Sequence, residues 1–349
     1  MFNAVHHLRF ADARESITKE YPTVAPPYPR GISVVIPPPG FTSSSPSHLT
    51  NSSLAALTHQ ESKMRSQWIF DVMTNQDAAP FKEMVSKLDK RELQTMASLL
   101  TSDSDHFLMI ARNKNGSRRI QKLLGKSDDV DTFFADAILR CFFHIITDRY
   151  ASYVARRAMT VFDKEKKEAM YERILHYALH IARDRHGCLA LNDIITDADD
   201  LYYRNKLFDV VAHNALSLSN DAYGNYVVQH VLKLNDLRCK NNIVVKLRGH
   251  CVDLSFQRRG NYIVQLLLET EESMVVVVEE LMKCKGDRLV KLAGNEFGNF
   301  VVEKALRVTQ KEMFRTDLFW GLVHKLMPFL HRLRRPGGSN IASILDSVC

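Results

Sequence analysis

The sequence predicts an all-α fold, a solenoid of stacked helical units, and three observations lead to that prediction. From about Trp68 onward, apolar residues recur with helical spacing between short polar turns. Related segments return about every 36 residues, a length that suits two helices with their turns. One position of this repeat is glycine in nearly every copy. With 349 residues, 45 % of them hydrophobic, the chain is long enough for an extended core.

Composition excludes several classes of protein. No apolar run approaches the roughly 20 residues that cross a bilayer, so we do not expect an integral membrane protein. The first twenty residues carry acids and no apolar segment, which argues against a secretory signal. The six cysteines form no Cys-x-x-Cys pair, which favours a reducing compartment. The formal net charge of +7 permits a polyanionic partner without requiring one.

The chain divides near residue 62. Seven of its 11 prolines lie within residues 21–40, and Ser and Thr dominate residues 41–53. Proline lacks a backbone donor and resists helix formation. We therefore predict that residues 1–62 are a disordered Pro/Ser-rich extension and that residues 63–349 form the repeat domain. Residues 1–60 carry a net charge of +1, so most of the positive charge belongs to the repeats.

The repeat appears when seven segments are aligned on one glycine. This residue is Gly in six copies and Ala151 in the other, and the residue after it lies at 117, 152, 188, 225, 261, 299 and 339. The spacings are 35, 36, 37, 36, 38 and 40 residues. Because glycine costs about 1 kcal/mol relative to alanine inside a helix, its recurrence needs a reason. We expect close helix packing, with the approach of a ligand as the alternative.

The pentapeptide after the glycine combines two amides with an aromatic ring. In the copy that starts at Asn225, this residue and Gln229 are four apart on one helix face, with Tyr226 beside them. Val227 and Val228 lie on the side that we expect to be buried. Amides suit hydrogen bonds to the edge of a nucleic-acid base, and the ring suits base stacking.

The series NYVVQ (225–229), NYIVQ (261–265) and SRRIQ (117–121) resembles the repeats of the Pumilio (PUF) family. The resemblance implies a right-handed superhelical α-solenoid of about seven to eight PUF repeats that binds single-stranded RNA. It also implies that the first and fifth residues of each pentapeptide contact one base, that the second residue stacks, and that the RNA runs antiparallel to the protein. The base-contacting residues implied are Ser117, Arg118, Gln121, Ser152, Tyr153, Arg156, Asn225, Tyr226, Gln229, Asn261, Tyr262, Gln265, Asn299, Phe300 and Glu303.

The resemblance also implies base identities. The pairs at 225/229 and 261/265 match the family's uracil-reading combination, and the pair at 117/121 matches its adenine-reading one. The pair at 299/303 resembles the guanine reader, and the pair at 152/156 resembles a cytosine-compatible combination. The copies at 188 and 339 match poorly. The implied site is 5′-NGUUNCA-3′, where N stands for any base.

One copy is less regular. Thirty-six residues before Ser117 lies Phe81, in a segment with helical spacing but no pentapeptide. We expect residues 63–100 to be a cap of the solenoid, with a degenerate eighth repeat as the alternative.

The family resemblance implies a cytoplasmic, monomeric protein that binds mRNA 3′ untranslated regions and regulates translation and stability through translation or decay factors. A nuclear or nucleolar location stays open. We expect no catalysis, no metal, no cofactor and no membrane contact. Two alternatives are a nucleolar PUF-like protein that binds structured pre-ribosomal RNA and an armadillo- or HEAT-like protein scaffold.

Overall fold

A computed structural model of the chain describes residues 64–234, 236–312, 315–335 and 337–348. Every regular element in these ranges is a helix, which confirms the predicted all-α class. Residues 66–349 group into one compact unit. The predicted extension, residues 1–62, lies outside the described residues. Among the described helices, none has the length and apolar character needed to span a bilayer.

The helices follow one another with short connections. In chain order they are α1 (64–74), α2 (Ala79–Lys87), α3 (Lys90–Thr101), α4 (Ser104–Arg112), α5 (Lys114–Leu123), α6 (Asp128–Arg140), α7 (Phe142–Ile146), α8 (Ser152–Val161), α9 (Lys164–Arg183), α10 (Gly187–Asp197), α11 (Leu201–His213), α12 (Ala215–Ser219), α13 (Gly224–Lys233), α14 (Leu237–Leu247), α15 (Cys251–Ser255), α16 (Gly260–Leu267), α17 (Glu271–Lys283), α18 (Gly286–Ala293), α19 (Gly298–Lys311), α20 (Thr316–Leu326), a 3-10 turn (Met327–Phe329), α21 (Leu330–Leu333) and α22 (Ser339–Asp346).

Seven of these helices carry the aligned segments, and we call them the pentapeptide helices: α5, α8, α10, α13, α16, α19 and α22. Each packs against the next one along the chain, so they form one continuous stack. Side-chain contacts join neighbours in this stack. Thr196 Oγ1 lies 2.8 Å from His230 Nε2, and Lys304 Nζ of α19 lies 2.8 Å from Glu269 Oε1 in the turn after α16.

A second stack lies beside the first. We call its members the flanking helices: α3, α6, α9, α11, α14, α17 and α20, each of which packs against the next. Side-chain caps explain where most of them begin, because an acid or serine accepts a hydrogen bond from an otherwise unpaired backbone N–H of the first turn. The capping residues are Asp89, Ser127, Asp163, Asp200 and Asp236. Two parallel stacks of this kind confirm the predicted α-solenoid.

Most units contain a third, short helix, which the expectation of two helices per repeat did not include. In these units the chain breaks between the flanking and short helices, at Asn214 and at Gly249, for example. Gly249 has a φ of +84°, a backbone conformation that favours glycine. In the third copy no such break occurs, and α9 continues for 20 residues. Five-residue helices such as α12 are too short for apolar periodicity to reveal.

The recurring glycine lies against the short helix or the end of α9. A Cβ on Gly187 would lie 2.6 Å from the carbonyl oxygen of Ile181, and a Cβ on Gly260 would lie 2.6 Å from that of Leu254. A Cβ on Gly298 or Gly338 would also lie 2.6 Å from a carbonyl oxygen, and one on Gly116 would lie closer still, whereas a Cβ on Gly224 would meet the Leu218 side chain at 2.7 Å. The packing explanation of the glycine is therefore confirmed.

The interior of the stacks is apolar. Val227, Val228, Ile263 and Val264, which the sequence places on the inward side, are fully buried. Burial of such side chains contributes about 1.5–3 kcal/mol each.

The N-terminal helices are anchored to the first pentapeptide helix by Arg119. Its guanidinium is buried and donates to the backbone oxygens of Val72 and Asp77, at 2.8 and 2.6 Å. It also lies 5.7 Å from the centre of the buried Phe81 ring. Desolvation lowers the pKa of Arg119. The helix that contains Phe81 carries no pentapeptide, and the assignment of residues 63–100 as a cap stays a prediction.

Candidate nucleic-acid interface

A repeated side-chain turn begins most pentapeptide helices. The Asp221 carboxylate accepts from the backbone N–H groups of Tyr223 and Gly224, at 2.9 and 2.7 Å. Asn113, Asp148, Asp184 and Asn295 make the same pair of bonds. These residues are not among those predicted from the sequence. The signal was present, because an Asp or Asn lies four residues before the first pentapeptide position in five copies.

The first residue of the pentapeptide is buried and fixed in the two predicted uracil readers. Asn225 is 3 % exposed, and its Nδ2 donates to the carbonyl oxygens of Asp221 and Ala222, at 2.8 and 3.1 Å. Asn261 makes the same two bonds, to Gln257 and Arg258, at 3.0 and 2.8 Å. Both donor hydrogens of each amide are therefore committed to the backbone, and its oxygen points to another partner.

That partner is the fifth residue. Gln229 Nε2 donates to Asn225 Oδ1 at 2.9 Å, and Gln265 Nε2 donates to Asn261 Oδ1 at the same distance. Both glutamines are half-buried. Each keeps an oxygen acceptor and a second N–H donor that no described residue uses. This donor–acceptor pair complements the N3–H and O4 of uracil.

Ser117 and Gln121 form a related pair. Gln121 Nε2 donates to Ser117 Oγ at 3.1 Å, and the buried Ser117 hydroxyl donates to the backbone oxygen of Tyr150 at 2.7 Å. The first-position hydroxyl therefore joins the first repeat to the second and also orients Gln121. Arg118, the predicted stacking residue of this copy, is exposed.

The predicted cytosine reader is held by an ion pair. Arg156 Nη2 lies 2.5 Å from Asp193 Oδ2 on the next pentapeptide helix, and its guanidinium lies 5.1 Å from the centre of the Tyr153 ring. Ser152 is buried beside it on the same helix. Because a guanidinium has five N–H donors, Arg156 can keep Asp193 and still donate to a base.

The carboxylate of Glu303, in the predicted guanine reader, accepts hydrogen bonds from two other side chains. Glu303 Oε2 accepts from Asn340 Nδ2 at 3.0 Å, and Glu303 Oε1 accepts from Arg307 Nε at 2.9 Å. Asn299 donates to the backbone oxygen of Asn295 at 2.8 Å. A guanine edge must therefore displace or share the Asn340 amide to reach the carboxylate.

The third copy lacks the features of a reader. Cys188 is fully buried, and burial raises the pKa of its thiol to about 12. Leu189 is half-buried and offers no ring. Asn192 is 4 % exposed, and neither atom of its amide has a hydrogen-bond partner among the described residues.

Three of the predicted stacking side chains are exposed rings on pentapeptide helices. Tyr153, Tyr262 and Phe300 are 49, 46 and 53 % exposed, whereas most large apolar side chains of these helices are buried. Tyr226 is half-buried, and burial raises the pKa of its phenol, an effect that the nearby Arg259 opposes. A ring or a guanidinium plane therefore lies at this position on five of the seven pentapeptide helices, where it suits base stacking. The copies at 188 and 339 carry Leu189 and Asn340 there.

Free cations accompany this series. Arg118, Arg157, Arg258 and Arg259 are exposed, and none forms an ion pair with another described residue. Other arginines nearby are neutralised: Arg112 lies 3.7 Å from Asp148. Unpaired guanidinium groups beside stacking residues suit contacts with phosphates.

The stacked helices present amide, aromatic and cationic side chains at recurring positions. This arrangement defines a class, the helical-repeat proteins that bind an extended partner along the stack. A family model described as the Pumilio-family RNA binding repeat matches residues 106–134, 141–175, 177–212, 214–247, 250–282 and 288–315, more than half of the chain. The chain belongs to the Pumilio (PUF) family. The six matches contain the copies that start at 117 to 299, and the copy at 339 follows the last match.

Individual relatives agree with this assignment. The chain is 72 % identical to pumilio homolog 20 of Arabidopsis thaliana, over 98 % of this chain and 99 % of that protein. It is 63 % identical to pumilio homolog 18 of the same plant, over 92 % and 93 %. The fold resembles the Puf4 RNA binding domain bound to the HO endonuclease RNA 3′ UTR recognition sequence, with a TM-score of 0.68 and 20 % identity over 84 % of this chain and 93 % of that chain.

Proposed function

We propose that this protein binds single-stranded RNA in a sequence-specific manner, with one base contacted by each competent pentapeptide helix. The observation that carries the proposal is the shared hydrogen-bond pattern of Asn225–Gln229 and Asn261–Gln265, with the same 2.9 Å amide–amide bond, on two helices that pack side by side. Equivalent donors and acceptors at equivalent places suit successive nucleotides of one strand. The proposed site is 5′-NGUUNCA-3′, with the two uracils at the best-formed pairs.

The proposed role is binding without catalysis. The amides supply recognition, the rings supply stacking, and the arginines supply phosphate contacts. By analogy with the solved Puf4 complex, which holds a 3′ UTR recognition sequence, we propose that the RNA is an mRNA 3′ untranslated region. Regulation of translation and stability in the cytoplasm, through translation or decay factors recruited by a monomer, completes the proposal.

In vitro selection from a random RNA pool tests this proposal. We expect enriched RNAs to contain two adjacent uracils with a guanine on their 5′ side. Strong, salt-sensitive binding without base preference would instead indicate recognition of RNA by shape. Absence of RNA binding would favour the protein scaffold.

A pair of tyrosine variants gives a matched control for stacking. Tyr262→Ala removes an exposed ring from a pentapeptide helix, and Tyr202→Ala removes one from the flanking helix α11. We expect Tyr262→Ala to weaken RNA binding by about 1–3 kcal/mol, the usual contribution of a stacked base, and Tyr202→Ala to leave it unchanged. Equal effects of the two variants would contradict the proposed interface.

A further inference from the structure

A large cavity lies beside the first pentapeptide helix, on its N-terminal side in the chain. Its volume is about 910 Å³, and it is a cleft broadly open to solvent. Residues of α2 line one side, residues of α5 and the turn after it line another, and Arg157 of α8 contributes to the wall. Gln121, the predicted adenine reader, is also part of the wall. The cavity therefore adjoins the place of the last base that the pentapeptides read.

The lining of this cavity is cationic. Among the described residues, five exposed basic side chains and no acid line it: Lys82, Arg118, Lys122, Lys126 and Arg157. None of the five forms an ion pair with another described residue, although Glu83 lies next to Lys82 in sequence. Glu83 pairs instead with Lys87, at 2.7 Å. Several unneutralised cations around one cavity favour an anionic occupant such as a phosphodiester.

The cavity also has an apolar part. Phe81, Val85 and Leu124 contribute to its wall, and Phe81 and Leu124 are nearly fully buried there. The apolar surface that an occupant could touch therefore comes from the half-buried Val85 and from the aliphatic stems of the basic side chains. Such surface beside cations suits a nucleotide, which joins a flat base to a phosphate. Apart from Gln121, which is assigned to the adenine of the read sequence, the described lining offers no amide that could select among bases.

We propose that this cavity binds the nucleotides that follow the read sequence on its 3′ side. The inference rests on the proposed function and on the antiparallel direction that the family resemblance implies, which brings the 3′ end of the RNA to the first repeat. The cations around the cavity hold the phosphates, and Val85 with the aliphatic stems of the basic side chains takes a base of any identity. The site read by the pentapeptides is thereby extended by a base-tolerant subsite.

Binding of 5′-labelled RNAs by fluorescence anisotropy tests the inference. The series is the NGUUNCA core with C at both N positions, the core with two nucleotides added at the 3′ end, and the core with two added at the 5′ end. We expect the 3′ extension to tighten binding about five-fold or more, whichever bases are added. We expect a smaller gain from the 5′ extension. The salt dependence with the 3′ extension should steepen by about 0.7 for each phosphate contacted.

Two double variants distinguish the subsite from general charge effects. Lys82→Ala with Lys126→Ala should abolish the gain from the 3′ extension, while binding of the core RNA shows that the variant is folded. Lys246→Ala with Lys291→Ala removes two exposed lysines that do not line the cavity, and it should preserve the gain.

The outcomes separate the two proposals. If the wild-type protein binds neither the core nor its extensions, the proposed function fails. If it binds the core but gains nothing from the 3′ extension, or if the gain survives loss of Lys82 and Lys126, the subsite alone is overturned.

Discussion

Asn225 holds Gln229 through a 2.9 Å hydrogen bond from Gln229 Nε2 to Asn225 Oδ1, and Asn225 is itself fixed by two bonds to the backbone. The buried first residue is therefore a support for the fifth residue, whose remaining donor and acceptor can meet a base. Because the arrangement recurs at Asn261 and Gln265 with the same 2.9 Å distance, it is a property of the repeat.

Because Asn225 holds Gln229 in place, we expect the effects of substituting the two residues on RNA affinity to be strongly coupled. Asn225→Ala leaves the Gln229 amide without its anchor, so we expect it to weaken RNA binding nearly as much as Gln229→Ala. The double variant should then cost little more than either single one, with a coupling energy of about 0.5–3 kcal/mol. A double-mutant cycle on RNA affinity measures this energy. Additive effects would show that the two residues act independently.

The crowded glycine predicts a stability effect. In Gly260→Ala the new Cβ would lie 2.6 Å from the Leu254 carbonyl oxygen, so the helices must separate, and we expect a loss of about 1–3 kcal/mol. Gly294→Ala is the matched control, because its Cβ would lie 3.6 Å from its nearest neighbour. Urea unfolding of both variants measures the difference. A Gly260→Ala protein as stable as wild type would contradict the packing explanation.

Replacement of Asn192 should have the opposite effect and increase the stability of the protein. Its buried amide has no partner among the described residues, so Asn192→Leu removes a desolvation cost and should stabilise the protein by about 1 kcal/mol. RNA affinity should not change, since the third copy lacks a stacking residue. Asn225→Leu provides the contrast, because it breaks three hydrogen bonds and should destabilise the fold. Thermal unfolding checks both variants, and a destabilised Asn192→Leu protein would contradict this interpretation.

Because of the buried His230, we expect the fold to be less stable in mild acid. Burial lowers the pKa of this imidazole, with a smaller opposing effect of Asp193 and a further lowering by Lys233. The folded protein therefore binds a proton at His230 less readily than the unfolded chain does. The contribution of His230 to the free energy of unfolding is fully present above the pKa of the unfolded chain, about 6.5. It decreases as the pH falls from there toward the pKa of the folded state.

A substitution isolates this contribution from that of other histidines, such as His186, whose pKa burial also lowers. His230→Gln removes the titrating group, so its unfolding free energy should fall less steeply than that of wild type below pH 6.5. Urea unfolding between pH 7.5 and 5 measures the two slopes. Parallel curves would show that His230 does not contribute.

The repeat and its glycine could be predicted because both recur at one spacing, and a recurring residue signals a recurring geometric need. Helical spacing predicts that the first and fifth pentapeptide residues share one helix face, as Asn225 and Gln229 do. The partition of their roles did not follow, because it depends on backbone acceptors such as the Asp221 carbonyl that no sequence pattern displays.

The contacts between repeats also could not be predicted from the sequence. The pairing of Arg156 with Asp193 and of Glu303 with Asn340 depends on how neighbouring helices pack, since the partners lie 37 residues apart. The break at Gly249 is a single positive-φ residue, and it separates a short helix from its flanking helix without any change in apolar pattern. The base-contacting roles of all these residues stay predictions.

A change of base preference at one position tests the central claim most directly. Asn225→Ser with Gln229→Glu replaces the amide pair by a hydroxyl and a carboxylate, which can accept from the N1–H and N2–H groups of guanine. Affinities are measured for four RNAs that differ only at the fourth position of NGUUNCA. We predict that wild type prefers U there and that the variant prefers G, by about 1–3 kcal/mol, with preferences at the other positions unchanged. A variant that still prefers U, or that loses affinity equally for all four RNAs, would contradict base-by-base reading.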